Sequence, residues 1–527
     1  MSKPNVVIAG AGPTGLMLAC ELRLSGVEVT VLDRLAGRSG ESRAAGMHVR
    51  TLEVLDQRGI VEPFIAAGRP MPSGLFAKQR LDLTRLETRY PFSLMLLQTR
   101  TEALLDQRLA ELGVQVCWSS EVVGVRQDDS SVAIDVRRPD GSVSTMLADY
   151  LVGCDGGRST VRKLAGIGFP GTPATLTAML GDVELTEPPD GPTVVAGEKG
   201  NVSVLGHEPG WYRVFTTEYD LVIARDEPMT LERLRDSTMR IAGTDFGMHS
   251  PRWLSSFGDA ARQADRFRLG RVLLAGDAAH VHFPAGGQGM NVGMQDAVNL
   301  GWKLAAVVNG HVSDDLLDTY HSERSAVATQ VLQNTRAQTA LARPGAHADA
   351  LRDVFADLVA IDEVNQMLAG MISALDIRYP LGDGCPWLGR RFPDLDLSLP
   401  DGDTRLFNLL HTARPVLLNL SDDVRLLAEL TAATTGWSDR VDIVDARCRG
   451  RLPVAVTDGG LPSPEAVLIR PDGHTAWITS VGEVPDLTAL TSALTTWFGP
   501  AGPAGPAGPA EPEVWGEGER GELVDQV

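Results

Sequence analysis

Residues 5 to 33 restrict the possible folds more than any other part of the chain. An apolar run, NVVIA, stops at Gly10 and gives way to a GxGxxG turn, Gly10-Ala11-Gly12-Pro13-Thr14-Gly15. Leucines, Met17 and Ala19 then recur at helical spacing as far as Gly26, and VEVTVLD alternates as a strand does, ending on Asp33. Strand, helix and strand within roughly 30 residues make a right-handed parallel crossover. Each glycine has its own reason to be there: Gly10 permits a tight turn, Gly12 lets a pyrophosphate reach the backbone, and Gly15 allows close packing of the helix. The helix beginning at Pro13 and Thr14 offers unpaired N–H groups and a positive dipole end to phosphates, and Asp33 can accept from ribose hydroxyls, with Arg34 beside it. An adenine dinucleotide is the expected ligand. No second GxGxxG follows, which disfavours a protein with two stable nucleotide domains.

Composition narrows the class further. The chain has 527 residues, 68 acidic against 48 basic, and a net charge of −20 with no basic tract, so nucleic acid is not an expected partner. Its five cysteines, Cys20, Cys117, Cys154, Cys385 and Cys448, form no CxxC and no Cys/His ligand spacing, which argues for a reducing compartment and against a zinc module. The stretch from Met1 to Cys20 faintly resembles an export signal, but Gly10, Gly12, Pro13 and Gly15 interrupt it, so a cytoplasmic, membrane-free protein is expected.

Further along, strand-like series occupy 114 to 137 and 145 to 153, and short Gly- and Pro-rich strands fill 172 to 265. RVLLAGD resumes the parallel pattern, and residues 289 to 309 read as a long helix that buries most of its faces. VLLNL, RVDIV and AVLIRPDG, with helical segments between them, suit a thioredoxin-like α/β domain without its dithiol, and four Gly-Pro-Ala triplets open a tail expected to be disordered.

Three motifs carry a family resemblance. CDGGRSTVR (154 to 162) resembles the DG motif of the class A flavoprotein monooxygenases, the para-hydroxybenzoate hydroxylase-like family, while RVLLAGDAAH and PAGGQGMN resemble its GD motif and flavin loop. GESRAAGMHVRTLEVLDQRGI, GTDFGMHSPRWLSSFGDAARQ and LIRPDGHTAW bring it closest to the aromatic polyketide and rifampicin hydroxylases of actinomycetes. The resemblance implies an α/β fold: a Rossmann-type FAD-binding domain in three parts (1–75, 101–171 and 266–345), an inserted β-sheet substrate domain in two (76–100 and 172–265), a helical connection (346–385), a thioredoxin-like domain (386–499) and the tail (500–527). It implies tightly but non-covalently bound FAD, transient NADPH or NADH, and O2.

By the same resemblance Asp33 binds the FAD ribose and Arg43 lies beside the pyrophosphate or flavin. Gln98 and Arg100 touch FAD at the start of a helix, and the Val122 backbone meets adenine. Asp155 and Arg162 serve both FAD and NADPH, Asp277 binds a ribityl or pyrophosphate-side hydroxyl, and Gly289, Met290 and Asn291 lie under the flavin pyrimidine ring. Arg213, in GWYRV, aligns with an arginine near the flavin, and Arg43 and Arg213 are the catalytic candidates. His48 lines the site or serves structure.

The implied reaction is hydroxylation of a large polycyclic aromatic, of polyketide or ansamycin type, through a flavin C4a-hydroperoxide. Baeyer-Villiger insertion on a polycyclic ketone and inactivation of a rifampicin-type antibiotic stay open, as does a flavoprotein that puts no oxygen into product; a flavin halogenase is disfavoured because WxWxIP is missing. His280 and His282 could share a metal with Asp277. No fourth ligand is apparent and the GD motif claims Asp277, so no metal is expected and the histidines are assigned to the loop. Substrate identity and oligomeric state stay open.

Overall fold

The computed structural model describes residues 5–502 apart from 78, 220, 225–226, 383–384 and 451–462. At its centre is a six-stranded sheet in the spatial order Arg268–Leu269, Val272–Leu274, Tyr150–Gly153, Val6–Ala9, Val29–Leu32, Val116–Cys117. All neighbours run parallel except the first pair. Val6, Val7, Ile8, Val31, Leu151, Val152 and Leu273 are fully buried, as a sheet covered on both faces requires. The helices Pro13–Leu24 and Gly289–Val308 pack together across the sheet, and Gly301 admits the approach: a methyl there would run into the Glu21 side chain. The expected helix over 289–309 is therefore found, buried on nearly every face.

A second, wholly antiparallel sheet has the order Thr193–Gly197, Gly200–Glu208, Trp211–Glu218, Thr177–Leu185, Met248–Gly258. Met179, Val183, Val202, Val204 and Val214 on one face pack against Leu234 of the helix Leu231–Ala242. The alternate residues leave the other face free to form a wall.

Among the described residues, 76–100 contribute no strand to this sheet. The hairpin Ser73–Phe76 with Gln79–Asp82 stands alone, because Phe76, Leu81 and Leu83 bury against Leu368 and Ile372 of the helix Asp362–Ser373. Ser93–Met95 pairs instead with Gly46–Met47 and Arg69–Met71.

The C-terminal unit is a four-stranded sheet, Asp442–Asp445, Val416–Asn419, Pro464–Ile469, Thr475–Ser480, parallel in its first pair and antiparallel thereafter, flanked by Val424–Thr434 and Leu487–Phe498. All five cysteines are free. Most of the tail expected to be disordered lies outside the described residues. Among the described residues no helix is long and apolar enough to cross a membrane.

Candidate flavin site

The GD turn and the helix that follows the flavin loop both close on Thr14. A methyl on Gly276, in the GD turn, would lie 2.6 Å from the Thr14 hydroxyl, and one on Gly293, in the following helix, would strike the same oxygen. Gly10 takes φ +107°, and a side chain there would run into the Cys154 carbonyl. One on Gly15 would meet Gly10 itself, whereas one on Gly12 would meet nothing within 4 Å. Gly10 and Gly15 therefore serve the fold, while Gly12 keeps clear a space that no protein atom uses. Gly12 is also the N-cap of the helix opened by Pro13, with no side-chain cap and no acidic residue in the first turn. Free donors and a positive dipole end face that space, which is the chemistry a pyrophosphate requires.

Asp33 is already engaged: one carboxylate oxygen accepts from Ala11 N (2.8 Å) and the other from Leu35 N (2.9 Å). This pins the turn while leaving lone pairs for a hydroxyl. Asp155 takes the N–H groups of Thr160 (2.6 Å) and Val161 (3.1 Å) on one oxygen and leaves the other buried without a partner. Arg162 is 4 % exposed and donates to Ala278 O (2.7 Å) and Gly157 O (2.9 Å), its guanidinium 3.6 Å from the Phe169 ring centre, so it ties the DG motif to the GD turn. Asp277 is exposed between buried Gly276 and Ala278.

Past the GD turn, Gly286 (φ +70°) and Gly287 (φ +68°) deliver the chain to the N-terminus of the helix Gly289–Val308, which again lacks a side-chain cap and a first-turn acid. Met290 packs on the core. The Asn291 amide is spent on protein: its oxygen accepts from His48 N and Thr51 Oγ1 (both 2.8 Å), and its nitrogen donates to Gly287 O (2.9 Å) and Gly46 O (3.2 Å). It fastens the loop, leaving only its backbone for a ligand. His48 hydrogen-bonds through Nδ1 to Ile372 O, and burial pushes its pKa down, so the ring is neutral near neutral pH.

The free face of the antiparallel sheet looks toward this loop, with Phe257 and Phe283 rings 6.0 Å apart and Phe215 and Phe257 also 6.0 Å apart. Four residues along from Phe257, roughly 13 Å away, and two along from Phe215, Asp182 lies buried beneath Arg213. Arg213 Nε and Nη2 donate to the carboxylate (2.8 and 2.9 Å), Trp253 Nε1 adds a third bond (2.8 Å), and His207 Nε2 stands 3.4 Å off. Burial would raise the Asp182 carboxyl, but its partners His207 and Arg213 hold it well below the usual carboxylate range. Arg213 is thus a fixed, charge-balanced group of the sheet wall, with Nη1 buried and unpartnered.

Arg43 pairs with Glu41 (2.8 Å) and its side chain is 64 % exposed. Arg34 and Arg100 are exposed. Gln98 accepts from Ala44 N (3.2 Å) and donates to Glu102 (2.8 Å), which anchors the segment carrying Arg43. Val122 lies opposite Val136, where the strand register shifts.

The FAD binding domain family model matches residues 3–335, and that of the aromatic-ring hydroxylase C-terminal domain matches 385–501. The chain belongs to the class A flavoprotein monooxygenases. This monooxygenase is 46 % identical over 511 residues to 12-dehydrotetracycline 5-monooxygenase/anhydrotetracycline 6-monooxygenase of Streptomyces rimosus, covering 94 % of this chain and 99 % of the relative. It is 43 % identical over 503 residues to rifampicin monooxygenase of Streptomyces venezuelae, with the same coverage. The solved structure of OxyS anhydrotetracycline hydroxylase from Streptomyces rimosus superposes with a TM-score of 0.88 at 46 % identity, covering 95 % of this chain and 100 % of that one.

Sequence reasoning missed the partners that hold the flavoprotein's site in place. His280 bonds through Nε2 to Asp296 (2.7 Å), and Arg324 Nε donates to the same carboxylate (2.6 Å); His282 turns to Phe283 O. Among the described residues no cluster could hold a metal ion. Burial alone would raise the Asp296 carboxyl, but Arg324 and His280 outweigh it. Asp296 and Lys303 stand inside a helix whose other residues read as core, and a charge there demands a buried partner. That signal was legible, although the identity of the partners was not.

Proposed function

We propose that the chain binds FAD in the crevice around Gly12, Asp33, Asp155 and Asp277 and uses NADPH and O2 to hydroxylate a polycyclic aromatic substrate. The observation carrying this reading is the pairing of two uncapped helix N-termini, at Gly12 and at Gln288, on one crevice joined through Thr14. One suits a pyrophosphate and the other suits the electron-rich pyrimidine edge of a flavin. When bound, FAD supplies the activation of O2.

The chain's own residues supply position, charge and dryness. Arg162 holds the GD turn, Asn291 holds the loop, and the backbone N–H groups after Gly287 offer positive potential that needs no rearrangement during reaction. Phe215, Phe257 and Phe283 form an apolar wall that keeps water from the reacting centre. Arg213, fixed by Asp182, is the cation available to an oxygen substituent on the substrate. A polycyclic substrate is supported by the two relatives named for tetracycline intermediates and rifampicin, and by the length of the wall between Phe283 and Arg213.

The test uses purified FAD-loaded protein with NADPH, 18O2 and a panel of polycyclic phenols. Stimulated NADPH oxidation and a product gaining one labelled oxygen are expected. Unstimulated oxidation with every phenol and unlabelled product would sink the proposal.

A further inference from the structure

A cavity of about 430 Å³ lies between the first turns of Gly289–Val308, the helix Leu316–Ala342 and the segment around Met371 to Ile377. That volume is in the range of small-molecule sites. His48, Gln288 and Asn291 close it on the side of the flavin loop. None of Gly12, Asp33, Asp155, Asp277, Phe215 or Phe257 is among the described residues that line it. Asn291, bonded on both sides of its amide, belongs to the partition.

Two side chains in this cavity are unfinished. Gln288 is 3 % exposed and Gln295 6 % exposed, and each buries a side-chain amide nitrogen without an acceptor. Buried donors in native proteins nearly always have partners. The two glutamines are seven residues apart, two turns along one helix face, which separates their backbones by about 10 Å. Between and opposite them are Val292, Val327, Val331, Met371 and Ile372. Among the described residues the lining holds no lysine or arginine and one carboxylate, Asp376, so phosphates and other anions are disfavoured. What fits is an uncharged, extended apolar body with acceptor oxygens along an edge.

We propose that this cavity is a second binding site for a neutral polycyclic ketone or phenol, whose oxygens accept from Gln288 Nε2 and Gln295 Nε2. The ligand class rests on the proposed function, because it is the substrate's or product's own class. Gln288 is the N-cap of the flavin-facing helix, so an occupant would bear directly on the loop carrying Gly286 and Gly287.

The probe is 1,8-dihydroxyanthraquinone, titrated into the FAD-loaded protein by calorimetry while the flavin absorbance is followed. Two binding events are expected, of which one perturbs the flavin spectrum strongly. Gln295→Leu should weaken the other event tenfold or more and leave the spectral event within twofold. Val331→Phe, which fills the cavity from the opposite helix and keeps both amides, should do the same and decides the matter if Gln295→Leu does not fold. A single event, or a second event indifferent to the variants, overturns the second site. A Gln295-dependent event without any spectral event would leave this site standing and count against the proposed function instead.

Discussion

The two ends of the helix Gly289–Val308 do opposite things with polar groups. At its start the backbone donors have no side-chain cap and no nearby acid, and two glycines in left-handed conformation keep side chains away. Toward its end, Asn299 and Lys303 enter a closed network: Asn299 donates to Glu323 (2.7 Å) and Asp472 (3.2 Å), Lys303 donates to Glu323 (2.8 Å) and Asn299 (3.0 Å), and Arg470 grips Glu323 with two bonds (2.7 and 2.9 Å). Burial lowers the Lys303 ammonium to about 8 in spite of Glu323, and Glu323 is held down to about 2 because Arg470 and Lys303 outweigh its own burial. Donors left open are a place for a ligand, and donors fully satisfied are a joint between domains. One helix separates the two uses by the spacing of its charged residues.

The largest expected effect tests the joint. Arg470→Met takes the guanidinium from Glu323 and Asp472, leaving Glu323 only Lys303 and Asn299, and breaking a buried pair from one side costs about 3–5 kcal/mol; urea unfolding measures it, and a loss under 1 kcal/mol would deny the network its structural role. Acid probes the same place. The folded-state pKa of Glu323 lies below its unfolded value, so its contribution is complete above about 4.5 and is lost as pH falls toward about 2. The loss is on the order of 3 kcal/mol, and Glu323→Gln should flatten the fall in melting temperature across that window.

The open end is sharpened by a pair of variants. Gly12→Ala should cut FAD affinity tenfold or more while apoprotein melting hardly moves, since its methyl meets no protein atom. Gly15→Ala should lower apoprotein melting itself, since its methyl meets Gly10. If both variants behave alike, the two glycines do not divide the work. Asp277→Ala should cost about 1.5–3 kcal/mol of FAD binding, the value of a hydrogen bond to a charged group, read by equilibrium dialysis with unchanged apoprotein stability. Smallest is Arg43→Ala, whose exposed pair with Glu41 should shift stability by less than ~0.5 kcal/mol; a large fall in kcat there would reveal an engagement that only the loaded enzyme makes.

What the sequence disclosed followed from local rules. Gly10, Gly12 and Gly15 announced themselves because a tight turn and a close approach restrict residue choice strongly, and the parallel strands showed as unbroken apolar runs. The pairing of residues 73–82 was not legible, because a lone hairpin resting on a distant helix has the same short alternating pattern as a strand of a larger sheet. The His280–Asp296–Arg324 cluster and the Arg470–Glu323 grip join residues far apart in the chain, and spacing carries no information about such pairs. Resemblance placed Arg43, Gln98 and Arg213 in the site; physics adds what each is bonded to, and for Arg213 that is Asp182.

The Arg470–Glu323 joint also bears on how the chain is made. The two residues are 147 positions apart, and at the ribosomal pace of 5–20 residues per second the second follows the first by roughly 7 to 30 s. During that wait Glu323, Lys303 and Asn299 lack their C-terminal partners, and the far end of the helix Gly289–Val308 is held only by residues made earlier, such as Ser25, which accepts from Asn309. The crevice residues Gly12, Asp33, Asp155 and Asp277 thus precede by some two hundred positions or more the arginine that closes the network at the other end of the helix beside them.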